Sequence, residues 1–119
     1  MWAVRGDEGR VIVAFCGWLE SEGWTGIRRE VEFVDIVAER DGQTLYVEAK
    51  GRTSSPGLDV DTMYGQLLRR MRHPEGSARY GVVVPSSALA AALRVPEWVR
   101  ERLQVEVYAV DSDGTVICG

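Results

Sequence analysis

An α/β fold is predicted for this chain: an αβββαβ core with a mixed sheet flanked by helices, followed by a C-terminal helix and a β-hairpin. Three observations predict it. Two long stretches repeat apolar residues at helical spacing, short apolar or alternating runs lie between them, and an Asp-Gly pair joins two of those runs as a hairpin turn. A length of 119 residues fits a single domain over positions 1–119 with one modest core.

In the first helix, Asp7 is the expected cap and the helix runs to about Gly23, with Val11, Ile12, Phe15, Trp18 and Leu19 on one face. Ile27 to Glu32 reads as a strand and Phe33 to Arg40 as the next. Asp41-Gly42 is a two-residue hairpin signal, and Thr44 to Lys50 is the returning strand. Gly51 to Asp59 has loop chemistry. Val60 to Arg72 is the second helix, with Val60, Met63, Tyr64, Leu67, Leu68 and Met71 as its apolar stripe. Tyr80 to Pro85 is a short buried strand. Ser86 to Leu103 is helical with a break at Pro96, and Val105 to Val110 and Thr115 to Cys118 close the chain as a hairpin.

Composition narrows the function. Hydrophobic residues make up 45% and charged residues 27%, with no apolar run near the ~18 residues that span a membrane. The N-terminus lacks a signal-peptide layout. Cys16 and Cys118 are too few and too far apart for a disulfide framework, so reduced thiols in a cytoplasmic protein are expected. A net charge of −4 excludes a general polyanion binder, and any nucleic-acid contact must come from a local basic surface.

The hairpin carries the sharpest chemical signal. With Asp41-Gly42 as a two-residue turn, Arg40 opposes Gln43 and Asp35 lies directly across from Glu48. Period-two alternation puts Tyr46, Glu48 and Lys50 on one face and Leu45, Val47 and Ala49 on the other. Opposed side chains have Cβ atoms about 4.5–5.5 Å apart, and like charges so placed destabilise a sheet. A divalent cation between them offsets that repulsion, since Mg²⁺ takes oxygen ligands at ~2.0–2.1 Å and is usually held by one or two carboxylates. A solvated charged hairpin face is the alternative. Glu8, one turn before Ile12, lies on the apolar side of its helix, where a carboxylate must be paired or bind a cation. A first-turn acid also complements a helix N-terminus, and both accounts stand. Lys50 is the one lysine, against thirteen arginines. Arg replaces Lys at ordinary surface sites but not where a compact ammonium must sit near a water or a phosphate oxygen; a chance surviving lysine is the alternative.

Glu8, then Val34-Asp35, then Glu48-Ala49-Lys50, in the predicted element order, resemble the PD-(D/E)XK nuclease superfamily over roughly Asp7 to Pro85. Among its members the small restriction-endonuclease-like and Holliday-junction-resolvase-like domains are most similar. Val34 stands where the motif's name has proline. The resemblance implies a restriction-endonuclease-like core and a metal-dependent phosphodiesterase. Asp35, Glu48 and the Ala49 carbonyl would ligate Mg²⁺ or Mn²⁺, Glu8 would bind the metal or orient its water, and Lys50 would position the attacking water and stabilise charge on the phosphate.

The expected substrate is DNA. Gln66, Arg69, Arg70 and His73 are expected on the second helix opposite its apolar stripe, with Arg52 after the motif and Arg28-Arg29 at the strand region, contacting phosphates without reading sequence. A solvated helix face is the alternative for each arginine, and lone His73 is expected to be a surface residue. Some superfamily relatives place a Gln near the metal on this helix, and Gln66 resembles it. Trp2, Trp18, Trp24 and Trp98 are not clustered as a base-stacking platform, so packing is their default. The chain has no room for a separate target-recognition domain. That favours structure-directed or weakly sequence-specific cleavage, by a homodimer or with partner proteins. Two rivals remain: a catalytically inactive module of the same fold serving nucleic-acid binding or assembly, and an unrelated α/β protein with charges decorating a hairpin.

Overall fold

Helices cover both faces of a six-stranded mixed sheet whose spatial order follows the chain, β1-β2-β3-β4-β5-β6. The computed structural model describes residues 7–31, 34–51, 55–72 and 76–119. Along the chain run α1 (Glu8–Ser21), β1 (Thr25–Val31), β2 (Val34–Arg40), β3 (Gln43–Ala49), α2 (Pro56–Arg70) and β4 (Ala78–Pro85). A 3-10 turn (Ser86–Ala88), α3 (Leu89–Ala92), α4 (Glu97–Leu103), β5 (Val105–Val110) and β6 (Val116–Cys118) follow. The expected αβββαβ order with a C-terminal helical segment and hairpin is therefore the observed one. β1, β2 and β3 form an antiparallel meander, β3, β4 and β5 are parallel, and β6 returns antiparallel. The parallel pairs need helical crossovers, supplied by α2 and by α3–α4.

The two faces carry separate cores. Val11, Ile12, Phe15 and Leu19 of α1 pack on Ile36, Ala38, Leu45, Val47, Ala49, Val83 and Val110. Val60, Met63, Tyr64 and Leu67 of α2 pack with Tyr46, Tyr80, Val82, Val84 and Val107 on the opposite face. Strand alternation produces this division, because successive side chains of β3 serve different helices. Among the described residues no helix is long and apolar enough to cross a membrane. Cys16 is buried and Cys118 exposed, and both are free thiols.

Several expectations are corrected. Asp7 holds the cap position of α1 but makes no capping bond with its side chain. Arg10 claims that carboxylate through Nε (2.7 Å) and Nη2 (3.2 Å), and its Nη1 donates to the Asp111 carbonyl at 2.6 Å. Helix α2 starts four residues earlier than expected because Pro56 occupies its first turn, where a fixed φ and a missing N–H are harmless. Leu68 is half exposed and leaves the stripe. Of the tryptophans, Trp24 is buried, whereas Trp98 lies on the surface with the Arg102 guanidinium over its ring. Trp2 and His73 lie outside the described residues.

Candidate active site

The site forms where the β2–β3 ladder runs out. Asp41 (φ 52°) and Gly42 (φ 77°) both have positive φ, as a two-residue primed turn requires, and this fixes the register. The opposed pairs run from Arg40–Gln43 to Ile36–Val47, so the next residues, Asp35 and Glu48, face each other as expected. There the side chains replace the ladder. The Asp35 N–H donates to Glu48 Oε2 at 3.3 Å, and the Ala49 N–H donates to Asp35 Oδ2 at 2.8 Å. Each carboxylate is thus pinned by the main chain of the opposite strand. β3 nevertheless stays in the sheet beyond this point, because the Lys50 N–H donates to the Val83 carbonyl at 3.0 Å.

Glu48 is 2% exposed, the one charged residue buried among the described residues. It faces the α2 side with Tyr46, while Ala49 sits in the α1 core. Burial, then the charge of Asp35, pushes the Glu48 carboxyl up to about 7, against the pull of its hydrogen bond, Arg70 and Lys50. Burial also raises Asp35, opposed by its bond from Ala49 and by the charges of Lys50 and Arg70.

Glu8 arrives from the other face. It is the first residue of α1, half-buried, and its carboxyl is raised by burial and then by Asp35, with Lys50 opposing. Gly51 brings it close: a Cβ at Gly51 would lie 2.2 Å from the Glu8 nitrogen and 2.7 Å from its Cα. Only a glycine lets the chain after Lys50 pass against the start of α1. Loop composition alone does not signal this contact. Glu30 is also absent from the sequence reading of the site. It is exposed, with a left-handed φ of 55°, and its charge raises both Glu8 and Asp35. A non-glycine residue in that conformation carries no sequence signal.

The substrate-side candidates divide. Arg70, the last residue of α2, is half-buried, and its charge reaches both Asp35 and Glu48. The expectation that it lies opposite the apolar stripe is corrected. Seven residues turn a helix through nearly two full turns, so Arg70 lies within about 20° of buried Met63. Gln66 is half-buried on the same flank, about 60° from Met63. Arg69 is exposed on the far side, as expected. Arg28 is committed to Glu39 and the Gly26 carbonyl, and Arg29 is exposed near the Cys16 thiol. Arg52 lies outside the described residues.

No family model matches the sequence, and no curated protein matches it. Solved structures do. An fdxN element excision controlling factor protein from Anabaena variabilis superposes with a TM-score of 0.64 at 23% identity, over 92% of this chain and 96% of that one. An XisH family protein from Nostoc punctiforme superposes with a TM-score of 0.60 at 24% identity, over 92% and 94%. At these identities the likeness establishes the shared fold over nearly the whole length of both chains.

The donor set suits a hard divalent cation. Among the described residues no three His, Cys, Asp or Glu side chains converge as a metal cage. The two pinned carboxylates, Asp35 and Glu48, are the anionic ligands on offer, and main chain, water and substrate would complete the shell. That is the usual arrangement for Mg²⁺ and differs from an all-protein cage. Burial and mutual repulsion work against both anions, and a cation between them relieves both.

Proposed function

We propose that this chain is a metal-dependent DNA endonuclease, structure-directed or weakly sequence-specific, acting as a homodimer or as the nuclease part of a larger assembly. The observation that carries the reading is the cross-pinned pair at the end of the hairpin, with the chain's one ammonium two residues beyond Glu48 and electrostatically coupled to both acids. When bound, Mg²⁺ or Mn²⁺ would supply Lewis-acid polarisation of the phosphate and a nucleophilic water at neutral pH. Asp35, Glu48 and the Ala49 carbonyl would hold that cation. Glu8, its carboxyl raised by burial and by Asp35, would bind the cation or orient the attacking water. Lys50 positions that water and balances charge developing on the phosphate, and Arg70 adds a second positive charge on the α2 side.

The test is a cleavage screen of branched, single-stranded and double-stranded DNA with Mg²⁺ and with Mn²⁺. Wild type should cut at least one substrate, and Lys50→Ala should abolish cutting without altering the fold. Absence of cleavage on every substrate with either metal sinks the enzymatic reading.

A second reading is a catalytically inactive module of the same fold for nucleic-acid binding or assembly. Two observations favour it: the shared fold includes a protein named as an excision controlling factor, and the site lacks a third converging ligand among the described residues. Metal-dependent DNA binding without turnover is its expected signature.

A further inference from the structure

The arginines sort into those the fold uses and those it leaves facing outward. Arg10 is held by Asp7, Arg28 by Glu39, Arg79 by Glu106 and Arg94 by Asp61. Arg29 lies near enough to the Cys16 thiol for its charge to act on it, Arg40 donates to the Glu22 carbonyl and stacks on Trp24, Arg100 donates to the Val95 carbonyl, and Arg102 covers Trp98. Arg70 is half-buried at the end of α2, and its charge acts on both Asp35 and Glu48. Among the described residues Arg69 and Arg72 make no side-chain hydrogen bond, ion pair or ring contact, and both are exposed. They flank Arg70 at the C-terminal end of α2, with the Arg72 N–H donating to the Arg70 carbonyl at 3.0 Å.

A helix C-terminus favours a cation, but its half-charge does not call for three. Elsewhere the chain is strongly negative. Setting aside Lys50, Arg69, Arg70 and Arg72 together with the site acids Glu8, Asp35 and Glu48 leaves ten basic residues against fifteen acids. A polyanion meets net negative charge over most of this surface and positive charge at the end of α2, where Arg70 ends the helix and its charge lowers both carboxyls.

We infer that a DNA duplex whose phosphate enters the Asp35–Glu48 site leaves the protein over the C-terminal end of α2, with its backbone phosphates on Arg69 and Arg72. This deepens the proposed function and rests on it for the identity of the ligand. Such contacts hold any sequence equally and displace counterions from the duplex, so they are read in salt dependence.

The experiment measures binding of a short fluorescent duplex by anisotropy across a salt series, with Ca²⁺ in place of Mg²⁺ to suppress hydrolysis. Each lost phosphate contact on duplex DNA makes the slope of log K against log salt shallower by about 0.9. Arg69→Gln with Arg72→Gln should weaken binding and make the slope shallower by about 1.8. Arg79→Gln with Arg94→Gln, which removes two internally paired arginines, should leave it unchanged. Thermal melts of both double variants verify the fold. An unchanged slope in the Arg69/Arg72 variant, an equal loss in the Arg79/Arg94 control, or no wild-type duplex binding overturns the inference. So does an effect confined to single-stranded DNA. A wild type that binds duplex with this Arg69/Arg72 dependence but cuts nothing removes the nuclease reading and leaves the track standing. Cleavage with a slope indifferent to Arg69 and Arg72 does the reverse.

Discussion

Replacing Glu48 by Gln should make the metal-free protein more stable near neutral pH while abolishing the proposed metal-dependent cleavage. Glu48 is 2% exposed, and its carboxyl is raised from 4.5 to about 7, first by burial and then by Asp35. Below about pH 4.5 the group is protonated in both the folded and unfolded chain and costs nothing. As pH rises toward 7 the unfolded chain loses the proton while the folded chain keeps it, so folded stability falls. The raised pKa, at ~1.36 kcal/mol per unit, corresponds to about 3 kcal/mol, fully developed above about pH 7. In Glu48→Gln the amide oxygen would still accept the Asp35 N–H, so the variant removes the charge and keeps the bond. The assay is urea unfolding in the presence of a chelator across this pH range. The variant-minus-wild-type difference should be near zero at the acid end and grow to about 3 kcal/mol at the alkaline end. Adding Mg²⁺ at the alkaline end should restore wild type alone, by about 2.7 kcal/mol at a hundredfold excess over its dissociation constant. A difference independent of pH, or a variant less stable than wild type at the alkaline end, refutes the reasoning.

Other substitutions probe the same frame. Asp35→Asn keeps an acceptor for the Ala49 N–H but removes the second cause of the raised Glu48 carboxyl, so carboxyl NMR titration should find Glu48 below about 7, still above its ordinary value because burial remains. Gly51→Ala drives a methyl into main-chain atoms of Glu8, which cannot swing aside as a side chain would; a loss of about 1–3 kcal/mol in urea unfolding and displacement of Glu8 from the site are expected. Tyr64→Phe removes the buried bond from Tyr64 Oη to the Ala92 carbonyl (2.6 Å) and should cost about 1–3 kcal/mol, read as a lower thermal midpoint. Leu67→Ala, in the fully buried stripe of α2, should cost about 2–5 kcal/mol by the same measure.

The hairpin register is legible in the sequence because its cause is local. Asp41-Gly42 dictates the turn, the turn dictates the pairing, and the pairing places Asp35 against Glu48 without further information. The alternation of β3 is legible for the same reason, and it assigns Glu48 to one face and Ala49 to the other. Counting Arg70 as polar, and hence outward, misplaces it. Its angle on α2 sets it beside Met63, and a long side chain at a buried edge reaches across the sheet face. Glu30 and Gly51 are not legible as site residues. Glu30 depends on a left-handed backbone conformation and Gly51 on a contact with α1 made 43 positions earlier in the chain. Neither leaves a local pattern.

The location of the site follows from what a sheet does with its last pair. Inside a ladder, main-chain groups satisfy one another and side chains are free to pack. At Asp35 and Glu48 the ladder has stopped while β3 continues against β4, so one N–H from each strand needs an acceptor. Neutral side chains would satisfy those donors with less electrostatic cost. Two carboxylates satisfy them and leave further oxygens, held close by the opposite strand's backbone and raised in pKa by the packing behind them. Lys50, coupled to both acids, lowers that cost without removing it, since both carboxyls remain above their ordinary values. That residual cost is what the proposed divalent cation would relieve. A structural pair would be neutralised by the fold, whereas these two carboxyls stay raised, and the cost of charging Glu48 is what the pH series on Glu48→Gln measures.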